Sequence, residues 1–391
     1  MATESYDQIR SQLGMKDAGA SFSQFNEVGN TKLVQLRQSI TSPKDVKEPR
    51  YYGAVEVSKM VGRSVPWLRD NVPDAPRGPN GRRLFSLELI QQLREQLGTG
   101  FKRPEGSKAI VKAIVNFKGG VGKTTTTVHE AHYMATMQGM KVLVVDLDPQ
   151  ASSTFSLGPF IPDLELTQED TIYSALVDDL DHNPIRGTYI PNIHLIPANL
   201  AIQDLDLTLP NPEINNTQQM GSPLRRLSVF IERLRDYYDL ILIDCPPNMG
   251  ALTANSLVAC NAMLIPVPPA SYDLASFVMF SKNVSDIFSA IGKSLDYARI
   301  LITKHPGTQT ARKVEADIRA LYGDFVLSNH VVQTTEVEKA CEQMTSVYDL
   351  NKPLSNRETY NRAMDSFNNV FEEIFEDYCR LWSESQVKEA D

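Results

Sequence analysis

The sequence predicts an α/β chain: a doubly wound, mostly parallel sheet with a separate small helical unit ahead of it. Three observations carry that prediction. Apolar strand candidates at 110–117, 141–147, 192–197, 240–244, 262–267 and 298–303 alternate with helix-compatible stretches, the order expected of parallel strands joined by helical crossovers. A glycine-rich turn follows the first of these strands and opens directly into a helix. Residues 99–106, rich in Gly, Lys, Arg and Pro, read as a linker, which sets 46–98 apart from 107–391.

Residues 1–45 look helical in pieces, Tyr6 to Leu13 and Phe25 to Ile40. Leu33, Leu36 and Ile40 share one helical face, enough for a short packed or dimerising helix, and Ser42-Pro43-Lys44 breaks the pattern. Tyr52 to Gly62 then reads as a short helix ending in a turn glycine, and Ser64 caps a second through Val65, Pro66, Trp67, Leu68 and Arg69. Two short helices joined at Gly62-Arg63 are what a helix-turn-helix requires. A basic, turn-rich loop from Arg77 to Phe85 follows, and Ser86 caps a third helix. This order of helix, turn, helix, basic wing and helix resembles the winged helix-turn-helix of MerR-like DNA readers. That resemblance implies that Ser64, Trp67 and Arg69 lie near the major groove, with Arg77, Arg82 and Arg83 on the wing against phosphate or the minor groove. The bland alternative is a helical interaction domain with solvated arginines.

The apolar run Ala109 to Phe117 leads into Lys118-Gly119-Gly120-Val121-Gly122-Lys123-Thr124-Thr125 and then a helix-compatible stretch to Gln138. Strand, glycine-rich turn and helix start form a phosphate cradle, because backbone N–H groups and the helix N-terminus converge on an anion. Lys123 would reach the β- and γ-phosphates and the Thr124 hydroxyl would bind Mg²⁺. Phe117 stands where the strict P-loop pattern has its first glycine, and Lys118 is an additional cation that phosphate cradling in one subunit does not explain. This is the deviant Walker A box.

Two further strands end in acid. Lys141 to Asp148 closes on Asp146 and Asp148, and Leu240 to Asp244 closes on Asp244 before Cys245-Pro246-Pro247. Carboxylates at the C-terminal ends of parallel strands face the crevice where ligands bind. Asp244 serves as Walker B, holding Mg²⁺ directly or through water, and Asp146 and Asp148 can orient metal-bound and attacking waters.

Net charge is −9 over 391 residues, with 39 basic and 48 acidic side chains, unevenly spread. Residues 1–106 carry +4 and the remainder −13, so sequence-specific DNA reading is expected in the N-terminal part. No apolar run reaches the ~18 residues needed to span a bilayer, and the N-terminus lacks a signal pattern, so the chain is expected in the cytoplasm. Cys245, Cys260, Cys341 and Cys379 lack C-x-x-C spacing and fit reduced thiols. Leu205 to Met220 reads as a polar, irregular insertion.

The box at 118–124, Asp146-Leu147-Asp148-Pro149-Gln150 and Asp244-Cys245-Pro246-Pro247 resemble the ParA-type partition ATPases, in the larger form that carries an N-terminal helix-turn-helix. The resemblance covers about residues 107–380. It implies the P-loop NTPase fold of the ParA/MinD group, ATP and ADP with Mg²⁺ as ligands, and an ATP-sandwich homodimer in which Lys118 contacts the other subunit's nucleotide. It implies that Asp148 positions the attacking water and helps hold the metal with Thr124 and Asp244. Thr303 and Lys304 fall where relatives contact adenine. It also implies nonspecific DNA binding by the dimer on the nucleoid, with Arg312, Lys313, Arg319, Lys339, Lys352, Arg357 and Arg362 as candidates. A ParB-type centromere-binding partner that stimulates hydrolysis, and repression of the chain's own operon, complete the expectation. The alternative function is a nucleotide-sensing transcriptional regulator without a transport role.

Other features read as structural. His129, Glu130 and His132 share one helix without a third ligand at metal spacing. Phe367, Val370, Phe371, Ile374 and Tyr378 form an apolar stripe flanked by Glu372, Glu373, Glu376 and Asp377. A membrane-targeting helix of the MinD kind would carry basic flanks, so this is read as a docking helix and no membrane contact is expected.

Overall fold

The computed structural model describes residues 47–211 and 220–390, with Val28 ahead of them. The helices expected within 1–45 otherwise lie outside the described residues. The chain divides into a unit of residues 1–47 and a compact unit of residues 48–391, and the latter is described below.

Its centre is a seven-stranded sheet in the order β5-β6-β4-β7-β3-β8-β9. The strands are β3 (Ile110–Ile114), β4 (Val142–Asp146), β5 (Arg186–Gly187), β6 (Ile193–Ile196), β7 (Leu240–Asp244), β8 (Ala262–Val267) and β9 (Tyr297–Ile302). Every pairing is parallel except β5 against β6, a two-residue edge strand that no apolar run announced. All residues of β3, β4, β7 and β8 are buried, which is why they read as apolar runs, interrupted only by Lys112 in β3 and by the aspartates that end β4 and β7. Period-two alternation sorts their side chains into two cores. Ile110, Ile114, Val142, Val144, Leu240 and Leu242 face one, and Val111, Ala113, Leu143, Val145, Ile241 and Ile243 face the other. The first strand stops at Ile114 and not at Phe117, because Val115–Phe117 already belong to the approach to the glycine loop.

The N-terminal part opens with β1 (Tyr52–Gly53), α1 (Ala54–Val61) and α2 (Val65–Asn71), and continues with β2 (Leu84–Phe85) and α3 (Leu87–Leu97). The helix expected from Tyr52 starts two residues later, since Tyr52 and Gly53 pair antiparallel with Phe85 and Leu84. Gly62 ends α1 at φ +63°, a left-handed conformation that glycine adopts without steric cost. Ser64 and Ser86 cap α2 and α3 as expected, accepting from the Trp67 and Leu89 amides. A bridge between Arg77 and Arg83 closes a hairpin ahead of β2.

These elements share a core with the remainder of the unit. Val57, Leu68, Phe85 and Ile90 belong to the same buried cluster as Phe367, Val370, Phe371, Ile374 and Tyr378 of the last helix. The expected apolar stripe is therefore a docking face. Arg94 of α3 reinforces the join, donating from Nε to the Met60 carbonyl (2.9 Å) and from Nη2 to those of Thr136 (3.0 Å) and Met137 (2.5 Å).

In chain order the remaining helices are α4 (Lys123–Tyr133), α5 (Ser152–Leu157), α6 (Pro162–Glu165), α7 (Ile172–Val177), α8 (Leu205–Thr208), α9 (Arg226–Glu232), α10 (Ala251–Ala259), α11 (Ser271–Ile291), α12 (Gln309–Tyr322), α13 (Thr335–Glu342) and α14 (Arg357–Ala390). Helix α4 continues as a π-helical turn, Met134–Gln138, ended by Gly139 at φ +79°. The expected irregular insertion starts as α8, with Leu205 and Leu209 fully buried; hydrophobic burial overrides its polar composition. Among the described residues no helix is long and apolar enough to cross a membrane.

Candidate functional site

The glycine loop joins β3 to α4 at the C-terminal edge of the sheet. Gly120 (φ +73°) and Gly122 (φ +96°) hold left-handed conformations that an L side chain would strain. A Cβ placed on Gly119 or Gly120 meets nothing within 4 Å, so bare backbone faces open space. Two side chains fix the loop from behind. Asn116 accepts the Lys118 amide on Oδ1 (3.0 Å) while Nδ2 donates to the Pro266 carbonyl (2.9 Å). Thr303, at the end of β9, donates its hydroxyl to the Val121 carbonyl at 2.7 Å. Lys123 is the first residue of α4 and only 6% exposed; its Nζ donates to the Lys118 carbonyl at 3.1 Å. Burial pushes Lys123 below the ordinary lysine value, opposed by the charge of Asp244.

Register places Asp146 directly beside Asp244 on neighbouring strands, both fully buried. They differ in what they hold. Both oxygens of Asp146 are engaged, Oδ2 by the Thr154 amide (2.8 Å) and hydroxyl (2.7 Å), Oδ1 by the Asp148 amide (3.1 Å). Asp146 thus secures the strand end and the start of α5, and is poorly placed to orient a water. Burial, then repulsion from Asp244, pushes its carboxyl well above the usual range. Asp244 accepts from the hydroxyls of Ser153 (2.7 Å) and Thr127 (3.3 Å), and from Thr124. Burial raises it to about 6, with the Ser153 and Thr124 hydroxyls pulling the other way. Asp148 is half-buried at the strand end and accepts the Gln150 amide at 2.9 Å.

A buried carboxylate held by hydroxyls, beside the Thr124 hydroxyl, fits a hard oxygen-seeking cation such as Mg²⁺. Among the described residues no three His, Cys, Asp or Glu cluster as a metal cage. Thr303 and Lys304, the latter exposed at φ +49°, border a cavity of about 200 Å³ shared with Gly122, Thr125, Gln333 and Cys341.

The residues singled out for DNA fall into two groups. Ser64 is spent capping α2, Trp67 is half-buried against the core, and Arg69 is exposed but paired with Asp70. Arg77 donates to the Gly81 carbonyl, Arg82 is exposed, and Arg83 is half-buried in the hairpin. Arg312 and Lys313 are exposed on α12, Lys339 on α13 and Lys352 in the following loop, with Arg357 and Arg362 exposed at the start of α14. Arg319 differs: its guanidinium is committed to Glu315 and to the Leu327 and Ser328 carbonyls, so it is structural.

His129 and Glu130 hold structure, as expected. His129 Nδ1 lies 2.7 Å from the Thr125 carbonyl and Nε2 accepts the Val347 amide (3.2 Å), and its ring stacks on Phe367. Glu130 pairs with Lys112 beneath the loop. The sequence reading missed Asn116, Thr127, Ser153 and Thr154. Asn116 sits just before the box and Ser153 just after the acidic strand end, but nothing in their spacing marks which carboxylate or carbonyl they bind.

A P-loop on a parallel sheet, with a Walker B carboxylate one strand away, defines a nucleotide-binding protein of the P-loop class. Comparison with known proteins narrows this. The AAA domain family profile matches residues 108–297. Protein SopA of Escherichia coli K12 is 30% identical over 368 residues, covering 88% of this chain and 93% of SopA. The chromosome-partitioning ATPase Soj of Treponema pallidum is 31% identical over 229 residues, 58% of this chain and 84% of Soj. Among solved structures, cobyrinic acid a,c-diamide synthase of Mycobacterium smegmatis, with bound ADP and magnesium, superposes with a TM-score of 0.50 at 28% identity, covering 60% of this chain and 91% of that one. The chain belongs to the ParA-type partition ATPase family.

Proposed function

We propose that this chain is a DNA-segregation ATPase that binds ATP with Mg²⁺, pairs with a second copy across the nucleotides, and hydrolyses slowly until a ParB-type partner stimulates it. The observation that carries the reading is the division of labour between two lysines. Lys123 already reaches across the inside of its own loop to the Lys118 carbonyl. Lys118 opens the loop, and a single phosphate cradle needs no second lysine. A nucleotide on a partner subunit accounts for it, and couples pairing to an intact triphosphate.

In this reading the amides of residues 119–125 bind the phosphates, and Lys123 neutralises the β- and γ-oxygens. Mg²⁺, held by Thr124 and Asp244, would neutralise charge on the departing diphosphate. Asp148 orients the attacking water from the strand end, and Thr303 with Lys304 borders the cavity that receives the base of ATP or ADP. The dimer presents Arg312, Lys313, Lys339 and Lys352 to nucleoid DNA without sequence preference, in the cytoplasm and away from membranes. The N-terminal elements act as a winged helix-turn-helix that reads the operator of the chain's own operon.

The test is Lys118→Ala, with sedimentation velocity and gel shifts in a non-hydrolysable ATP analogue. The variant is expected to bind nucleotide like wild type yet stay monomeric and release DNA. Unchanged dimerisation would remove the role in trans. A regulator without transport gains weight from Arg94, which ties α3 to the end of the P-loop helix. Deleting residues 1–106 cannot discriminate, because Phe85 and Ile90 belong to the shared core. Substituting Arg82 and Arg83 can: loss of ATP-dependent nonspecific DNA binding together with operator binding would favour the regulator.

A further inference from the structure

Arginines from both ends of the described chain meet at one groove. A depression of about 980 Å³ runs between α2, the Arg77–Arg83 hairpin and the first turn of α14. Arg69, Arg77, Arg82 and Arg83 line it from the N-terminal side, and Arg357 with Asn361 from α14. Leu68 and Phe85, both fully buried, lie at its floor. Arg69 and Arg77 have internal partners, Asp70 and the Gly81 carbonyl. Arg82, Arg83 and Arg357 make no ion pair among the described residues. The Nε of Arg83 is buried and has no hydrogen-bond partner, an orphaned donor of the kind a ligand completes. The carboxylate lining the groove, Glu56, is held by Arg50 at 2.7 Å.

We propose that this groove takes the sugar–phosphate backbone of duplex DNA, and that Arg357 extends the phosphate-binding surface of the N-terminal elements onto the C-terminal helix. The inference rests on the reading of those elements as DNA-binding. Charge decides the occupant. Arg82 and Arg83 on one wall and Arg357 on the other are positive charges without an ion-pair partner among the described residues, and duplex DNA carries one negative charge per ~1.7 Å of axis. Their rigid forks match phosphate oxygens, and the hairpin and the capped helix fix their spacing. An acidic peptide is the rival occupant. Because α14 is built into the core beneath the ATP site, the same duplex is gripped by both ends of this unit and not by a detachable reader.

The test uses the full chain without nucleotide, a fluorescein-labelled 40-bp duplex from upstream of its own coding sequence, and anisotropy titrations at several salt concentrations. Arg357→Ala and Arg83→Ala are each expected to weaken binding about 5–10-fold near 0.1 M salt and to make the salt slope shallower by about 0.9, the loss of one phosphate contact. Arg357→Lys should restore most of the slope, which a merely structural role would not predict, and circular-dichroism melts report whether each variant folds; if Arg357→Ala does not, Arg357→Gln replaces it. Wild-type affinity and slope in Arg357→Ala, with Arg82→Ala weakened, would overturn the groove proposal and leave the N-terminal reading standing. Unchanged binding in all three alanine variants would overturn both. Retained duplex binding with loss of a labelled Asp/Glu-rich 20-residue peptide would assign the groove to an acidic peptide instead.

Discussion

Replacing Glu130 by glutamine isolates the one charge that balances Lys112. Lys112 of β3 and Glu130 of α4 are both 0% exposed, with Nζ 2.5 and 2.6 Å from the two carboxylate oxygens. The Tyr378 hydroxyl donates to the same carboxylate at 2.7 Å, and the Tyr378 ring lies 5.1 Å from the ammonium. Glutamine keeps the shape and removes the charge. Breaking a buried pair by removing one partner costs about 3–5 kcal/mol, because the other group must either stay charged without a partner or give up its proton. Burial already pushes Lys112 below its ordinary value, with Glu130 opposing. Without Glu130 the folded variant therefore holds Lys112 neutral, while the unfolded chain binds its proton up to a pH of about 10.4. The unfolded state then carries one proton more, so the variant's stability rises with pH by about 1.4 kcal/mol per unit until that value. Urea melts at pH 7, 8 and 9 measure this as the difference from wild type. Lys112→Met with Glu130→Leu removes both charges and should come within about 1 kcal/mol of wild type or exceed it. A deficit below about 1 kcal/mol for Glu130→Gln at pH 7, constant to pH 9, would refute the reasoning.

Three further outcomes follow from the site and its supports. Asp244→Asn should abolish ATP turnover yet raise stability at pH 7 by on the order of 2 kcal/mol. Burial holds Asp244 at about 6, so the folded state bears an ionisation penalty above that pH. The advantage should shrink to about 0.5 kcal/mol near pH 4, where the folded carboxyl is protonated and the unfolded one about half so, and thermal melts across pH 4–7 check it. His129 is pushed down to about 3 by burial, so between there and its ordinary value only the unfolded state binds the proton. Stability falls as pH drops through that window, and His129→Gln should lose about 1–2 kcal/mol less than wild type between pH 6.5 and 5. Arg94→Ala strands three carbonyls that one guanidinium now satisfies, and should cost about 2–4 kcal/mol and speed tryptic cleavage within residues 99–106.

The parts of this protein that carry chemistry were legible because they are local. Lys118 to Thr125 announces its loop through glycines that must adopt left-handed backbone, and β3, β4 and β7 announce themselves because burial on both faces leaves them apolar but for Lys112, which Glu130 neutralises, and the two terminal aspartates. The docking stripe on α14 was legible for the same reason, since helical spacing alone puts Phe367, Phe371 and Tyr378 on one face. What stayed hidden is held by contacts distant in sequence. Asp146 and Asp244 look alike at two strand ends, and only register shows them to be neighbours. One of them is then spent on Thr154 while the other is left to hydroxyls, because two adjacent buried carboxylates cannot serve the same cation-facing role without repelling each other. Strand β5 is two residues long and exposed, so no periodicity could mark it. Arg94 and Arg50 resemble any surface arginine until the fold buries them against carbonyls of the π-helical turn and of Tyr348. The linker reading at 99–106 was sound as composition, but composition does not register that Phe101 packs its ring against Phe375 and Trp382 of α14. A stretch rich in Gly, Pro and Lys is free to move only where its one aromatic side chain has nowhere to dock.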